Sequence, residues 1–317
     1  MAIILAVMPR SLFAQQASEI PVWLRSHVGE GEGQIAEVVL QRARSLYRQK
    51  LSDGSVRNQC YLAMDATRPN DLSNGRLGHR FYVICEASHS FRAVPAGHGS
   101  GLDLPGVGDF GNGRQCARNF GNATGSDLTA GGAYVTGETK TSFKGYYRAS
   151  GARKAVLTRS FVQFDGEGET ANARAREIGG HATVKLSGMC LLKDSSSPYA
   201  NRDGYVPLGT LVDYSGGRSN GCTSWSPSDA SQIIALVRNN PTTLYIYPDA
   251  ADVRGVARAV LAGRPPSSSG LYWNASCLRE IRAPKFWSDD QLGPMIARYK
   301  EEHPAPPPRP IPICREQ

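Results

Sequence analysis

The chain has 317 residues, 40% of them apolar and 20% charged. These proportions exclude global disorder and leave room for one large domain with extensions, or two modest ones. The net charge of +8 points to anionic surroundings, but the arginines are scattered and no helix-turn-helix, zinc-finger or aromatic RNA-binding signature accompanies them, so no nucleic-acid partner is expected.

Ala2–Met8 is a short apolar run followed by the small residues Ala14 and Ala17, and 1–17 read as a partial export signal, although nothing basic precedes Arg10. The run is too short to span a bilayer and no later run is longer, so no membrane span is expected. Residues 18–58 read as a helical N-terminal extension. Ala36, Val39, Leu40, Ala43 and Tyr47 recur at helical spacing, which predicts an amphipathic helix packed on the main domain.

The main domain is expected over 59–250. Frequent glycine and dense turn signals favour a β-rich core. Residues 60–65 and 80–85 read as paired strands, with Cys60 facing Cys85. Gly97–Gly132 reads as long loops, Ala133–Thr136 as a strand, 145–163 as one or two more, and 187–217 as loop. Ser226-Pro227-Ser228-Asp229 is an N-cap, a proline at the first helical position and an acid at the third. Ala230, Ile233, Ile234 and Val237 then make one apolar stripe, ending near Asn239-Asn240-Pro241. Thr242–Tyr247 predicts the closing strand.

Asp252 is the expected cap of the next helix, which opens an extension over 251–317. A short helix near 288–302 and an extended, proline-rich tail over 304–312 follow. Of seven cysteines, none forms a CxxC pair, and an odd number leaves at least one thiol free. A Cys277–Cys314 disulfide would tie down the tail.

The stretch Gly216–Trp225 places Cys222 after glycine and small polar residues, shortly before the capped helix. A thiolate is the nucleophilic form of cysteine, and a nearby histidine, a helix N-terminus or a tight exposed turn favours it. His181, entering a strand, is the expected base, with His98 a second candidate. No HxxxH pair or close Cys/His cluster suggests a metal. The run Gly97-His98-Gly99-Ser100-Gly101 lacks the order of a dinucleotide loop, and no GxSxG is present.

Taken together, five segments resemble the catalytic domain of the murein L,D-transpeptidases, in particular the glycine-rich branch of that superfamily. They are Gly97–Gly101, Phe120–Ser126, Gly132–Thr139, Asn172–Arg176 with His181, and Gly217–Cys222, in that order. The resemblance implies a mainly β, barrel-like sandwich with flanking helices. It implies Cys222 as nucleophile and His181 as base, with Ser219, Asn220 and Gly221 shaping the turn and the oxyanion site. Arg218, His98, Tyr134, Glu138 and Arg176 fall on segments that would bind substrate.

The implied reaction is acyl transfer on peptidoglycan stem tetrapeptides through a thioester, with no cofactor, in the periplasm or cell envelope. Trimming of stem peptides by a carboxypeptidase or endopeptidase on the same scaffold, and non-catalytic wall binding, are the alternatives. Two features depart from the family pattern. Ala182 stands where glycine follows the base, and the segment between His181 and Cys222 carries an insertion near Leu186–Pro207.

Overall fold

The computed structural model describes residues 20–315, apart from 73, 75, 114 and 150–153. The expected export signal at 1–17 lies outside the described residues. In chain order the strands are β1 (Cys60–Asp65), β2 (His79–Cys85), β3 (Ser90–Pro95), β4 (Asp103–Leu104), β5 (Gly108–Asp109), β6 (Asn119–Gly121), β7 (Gly132–Arg148) and β8 (Lys154–Gly166). β9 (Gly179–Ala182), β10 (Val184–Lys193), β11 (Tyr205–Asp213), β12 (Thr223–Trp225), β13 (Thr243–Tyr247) and β14 (Lys285–Trp287) follow. The helices are α1 (Glu37–Ser52), α2 (Pro227–Val237), α3 (Ala250–Leu261), α4 (Ala275–Ile281) and α5 (Asp289–Glu302). The fold is mainly β, a large mixed sheet with flanking helices.

The sheet runs β12-β9-β8-β7-β13-β1-β2-β3, with the β10–β11 hairpin joined to the far end of β7. Its central strands, β1 and β13, run parallel and are buried along their whole length. Both faces of the sheet are covered there, which is why these segments read as continuous apolar runs rather than alternating ones. Leu62 and Met64 face one core, with Ile233, Ile234, Val237, Val253 and Val256 of α2 and α3. Tyr61 and Ala63 face the other, with Val39, Leu40, Ala43 and Tyr47 of α1. Tyr47 stacks on Tyr61 at 4.7 Å, so the expected amphipathic helix lies on the sheet.

Ser226 caps α2 as expected, its Oγ accepting the Asp229 N–H at 3.2 Å, and the predicted apolar stripe is the buried one. For α3 the expected cap is corrected. Asp249, not Asp252, accepts the N–H groups of Ala251 and Asp252, at 2.9 and 3.0 Å, while Asp252 lies in the first turn beside Arg42. The chain beyond 251 shares the main core through Val253, Val256, Trp273, Cys277 and Ile281. α5 covers the predicted 288–302 helix and buries Leu292 and Ile296 against Phe110, Ala123 and Leu128.

The loop expected over 187–217 is instead mostly the β10–β11 hairpin, paired from Val184 with Asp213 to Lys193 with Tyr205. Exposed positions, Gly188 and Pro207 mask its alternation. The hairpin projects away to the end of β7, and β9 and β12 lie side by side.

Cys60 and Cys85 face each other in the β1–β2 register and are bonded, with Cα atoms 3.9 Å apart. The expected Cys277–Cys314 bond is corrected. Cys277, fully buried on α4, bonds Cys116, and Cys314 bonds Cys190 where the tail pairs with β10 through Ile313 and Leu191. Cys222 is the free cysteine. Titration of the unreduced, denatured chain with a disulfide reagent is therefore expected to release one thiol equivalent. A value near zero or three would contradict this pairing.

Candidate active site

The site is built from the edge pair β9 and β12, which run parallel with Gly180 level with Thr223 and His181 level with Ser224. Gly180 brings them together. A Cβ there would stand 2.1 Å from the ring of Trp225, a side chain 1% exposed and packed edge-on to Phe81 at 5.1 Å. Trp225 thus anchors β12 in the core, and Cys222 sits one residue before the strand, close to Gly179.

The turn before Cys222 requires glycine. Gly221 has φ +100°, a region that L side chains rarely adopt. A Cβ there would meet Ile178 Cδ1 at 2.8 Å and the Leu128 carbonyl at 3.0 Å. Ser219 closes the turn by donating its hydroxyl to the Cys222 carbonyl. The turn is tied behind to the glycine-rich loop. Ser219 N–H donates to His98 O at 2.9 Å, and Ser100 N–H donates to Ser219 O at 2.7 Å. Asn112 holds that loop in turn, donating to the carbonyls of Gly99 and Asn119 and accepting from the N–H groups of Arg118 and Asn119.

Cys222 and His181 open on one cleft of about 1200 Å³. Among the described residues the two side chains share no hydrogen bond. The thiol donates to Glu177 O at 3.6 Å. Glu177 itself has φ +54°, an uncommon conformation for a residue with a Cβ, held beside Cys222. The His181 Nδ1 donates to the Ala182 carbonyl at 2.9 Å, since a carbonyl can only accept. Nδ1–H is therefore the proton-bearing nitrogen, and the Nε2 lone pair is free. Ala182 serves in this contact through its backbone, so the departure from glycine leaves the contact intact.

Burial pushes the Cys222 thiol above its ordinary range, against the Gly179 N–H and the charges of Arg159 and Arg176. Burial pulls His181 below its ordinary value, and Arg159 adds to this. The resting pair is thus a neutral thiol and a neutral imidazole. The helix dipole expected to assist Cys222 is displaced by β12, whose three extended residues span about 10 Å, beyond the first turn in which the dipole acts. Arg159 and Arg176 supply the positive field in its place. Alkylation of Cys222 by iodoacetamide is expected to rise with pH, with a midpoint above the value of about 8.5 for free cysteine. A rate already at plateau at pH 7 would instead mean a resting thiolate–imidazolium pair.

The cleft is strongly basic. Lys140, Lys144, Arg159, Arg176, Lys185 and Arg218 line it, against Asp127 and Glu177. Arg176 is oriented by Leu128 O at 2.7 Å and Gly121 O at 3.4 Å. Arg218 donates to Asn112 O. Ser219 and Asn220 also line the cleft.

Three of the proposed substrate-binding residues lie elsewhere. His98 is 1% exposed behind the turn, its Nδ1 accepting from Arg80 at 2.6 Å. Burial and the charges of Arg80 and Arg218 hold it neutral. Tyr134 is fully buried and donates to Ala130 O at 2.6 Å. Glu138 is exposed on β7, accepting from the two terminal guanidinium nitrogens of Arg174 at 2.9 Å and paired with Lys140 at 3.3 Å, and these contacts lower its pKa to about 2. His98 and Tyr134 are buried, structural residues in this fold.

Among the cleft residues absent from the sequence-based set, Arg159 has the most direct bearing on the cysteine. It lies on β8, close enough to act on Cys222, His181 and Tyr214 at once. Its neighbours in the sequence show only an alternating strand, and its partners come from β9, β12 and the chain after β11. Compared with protein-family models, curated proteins and solved structures, the chain matches none.

Proposed function

We propose that this protein is a cysteine acyltransferase of the L,D-transpeptidase type, acting on peptidoglycan stem tetrapeptides. One observation carries the reading. The single free cysteine sits on a glycine turn in a basic cleft it shares with a neutral histidine, whose Nδ1 is committed to a backbone carbonyl. The ordered sequence segments add the substrate class.

In this mechanism His181 Nε2 takes the thiol proton as Cys222 Sγ attacks the carbonyl of the diaminopimelate residue. A neutral pair suits this order, because the base is unprotonated when substrate arrives. The N–H groups of Gly221 and Cys222 stabilise the oxyanion. The C–N bond to terminal D-alanine breaks, and the amine leaves with the proton from His181. An acceptor amine then attacks the thioester, gives its proton to His181 and regenerates the thiol. The basic cleft suits stem peptides, which carry several carboxylates. Three disulfides fit an oxidising compartment, in keeping with export.

Incubation with tetrapeptide muropeptides, followed by mass analysis, tests this reading. Cross-linked dimers with release of D-alanine are the expected products. Trimmed monomers alone would identify a hydrolase. A folded protein whose Cys222 forms no adduct with a carbapenem and releases no D-alanine would be a non-catalytic wall-binding protein.

A further inference from the structure

A second cleft, about 420 Å³, lies between α3 and β14 and takes no part in the chemistry above. α3 builds one wall. Val253 and Ala257, four residues apart, form a row facing inward, and Arg254 and Arg258 form the next row. Pro284 and Phe286 complete an apolar floor of buried and half-buried side chains. The exposed side chains of Arg118, Arg254, Arg258 and Lys285 form the rim, with Leu261, 80% exposed, at the end of α3.

The rim is short of negative charge. Arg254 lies over the Phe286 ring at 4.7 Å and reaches Glu169 at 3.5 Å. Among the described residues, the salt bridges include none to Arg118, Arg258 or Lys285. Lys285 places its ammonium over the Trp287 ring, 3.3 Å from the centroid. Burial and the nearby charge of Arg118 both pull its pKa down. Arg118, Arg258 and Lys285 thus line one cleft, and among the described residues none of the three is engaged by a carboxylate. An inorganic anion would answer the rim alone, and a neutral apolar ligand the floor alone. The volume falls within the range of about 300–1000 Å³ typical of small-molecule sites.

We propose that this cleft binds an apolar-tailed anion, with its phosphate or carboxylate among Arg118, Arg258 and Lys285 and its chain on Val253, Ala257 and Phe286. The site is independent of the acyl-transfer reading. Its ligand is either a free amphiphile or an anionic lipid presented at a membrane surface.

Calorimetric titration of the full chain with decyl phosphate and with inorganic phosphate tests it. Decyl phosphate is expected to bind at least about tenfold more tightly, because its chain is buried. The exposed double substitution Arg258→Glu/Lys285→Glu is expected to weaken decyl phosphate at least about 25-fold, at about fivefold for each lost cation. Ala257→Trp fills the floor and keeps the rim. It is expected to weaken decyl phosphate and leave inorganic phosphate unchanged. Circular dichroism confirms that each variant is folded.

Cosedimentation with phosphatidylcholine vesicles, with and without phosphatidylglycerol, separates the sources. Binding to the anionic vesicles that the charge reversal abolishes assigns a lipid, and binding of decyl phosphate without sedimentation assigns a free amphiphile. Equal affinity for the two phosphates, no binding of decyl phosphate, or indifference to the charge reversal in folded protein overturns the proposal.

Discussion

Replacing Cys222 by alanine is expected to lower acyl transfer by at least about 10⁴-fold, the scale on which loss of a nucleophile acts. The fold should persist, because the Cys222 side chain forms no disulfide and its hydrogen bond to Glu177 O, at 3.6 Å, is weak. His181→Ala is expected to cost about 10² to 10⁴-fold, the contribution of a positioned base. The double variant should be no slower than Cys222→Ala alone, since the two residues act as a unit. His181→Ala should also shift the pH dependence. Burial keeps His181 deprotonated below its ordinary value near 6.5, so the native rate should hold in mildly acidic solution. In the variant the thiol must ionise unaided, and its rate should climb only at alkaline pH. Release of D-alanine measured from pH 5 to 10 decides this. A Cys222→Ala enzyme of near-native rate would remove the cysteine from the chemistry.

The second large effect is expected at Gly221. Gly221→Ala places a Cβ 2.8 Å from Ile178 Cδ1 and 3.0 Å from the Leu128 carbonyl, on a backbone with φ +100°. The carbonyl belongs to a chain segment that also holds Arg176, so it cannot retreat freely. Strain of this kind costs about 1–3 kcal/mol, which thermal unfolding will report. Activity should fall further than stability, by about 100-fold. A shift of about 1 Å in the turn moves both the thiol and the N–H groups beside it. Tight, native-like turnover in a Gly221→Ala protein would show that the turn geometry is not limiting.

Local patterns foretold much of this fold. The cap and stripe of α2, the runs of β1, β2 and β13, and the helix over α5 all depend on contacts within a few residues. The Cys60–Cys85 bond followed because two neighbouring strands place them opposite each other. The other two bonds did not follow. They join residues 161 and 124 apart, and the geometry of such pairs is set by the whole fold. The β10–β11 hairpin is not legible in the sequence because much of it is exposed, and exposed strands lose the apolar alternation that identifies them. Asp249 and Asp252 both precede the apolar stripe in the sequence, and Asp249 is the cap because only its backbone is extended.

The candidate site divides along the same line. By itself the sequence determined that Cys222 follows a glycine turn, that His181 enters a strand after two glycines, and that the chain is basic. Those are properties of neighbours along the backbone. The tertiary structure alone decided that β9 and β12 lie side by side, that the dipole of α2 is too far from the sulfur, and that Arg159 and Arg176 take its place. It also buried His98 and Tyr134 and paired Glu138 with Arg174 and Lys140. The physical reason is that burial and charge proximity, which set the state of a thiol or an imidazole, are sums over atoms brought together from distant parts of the chain.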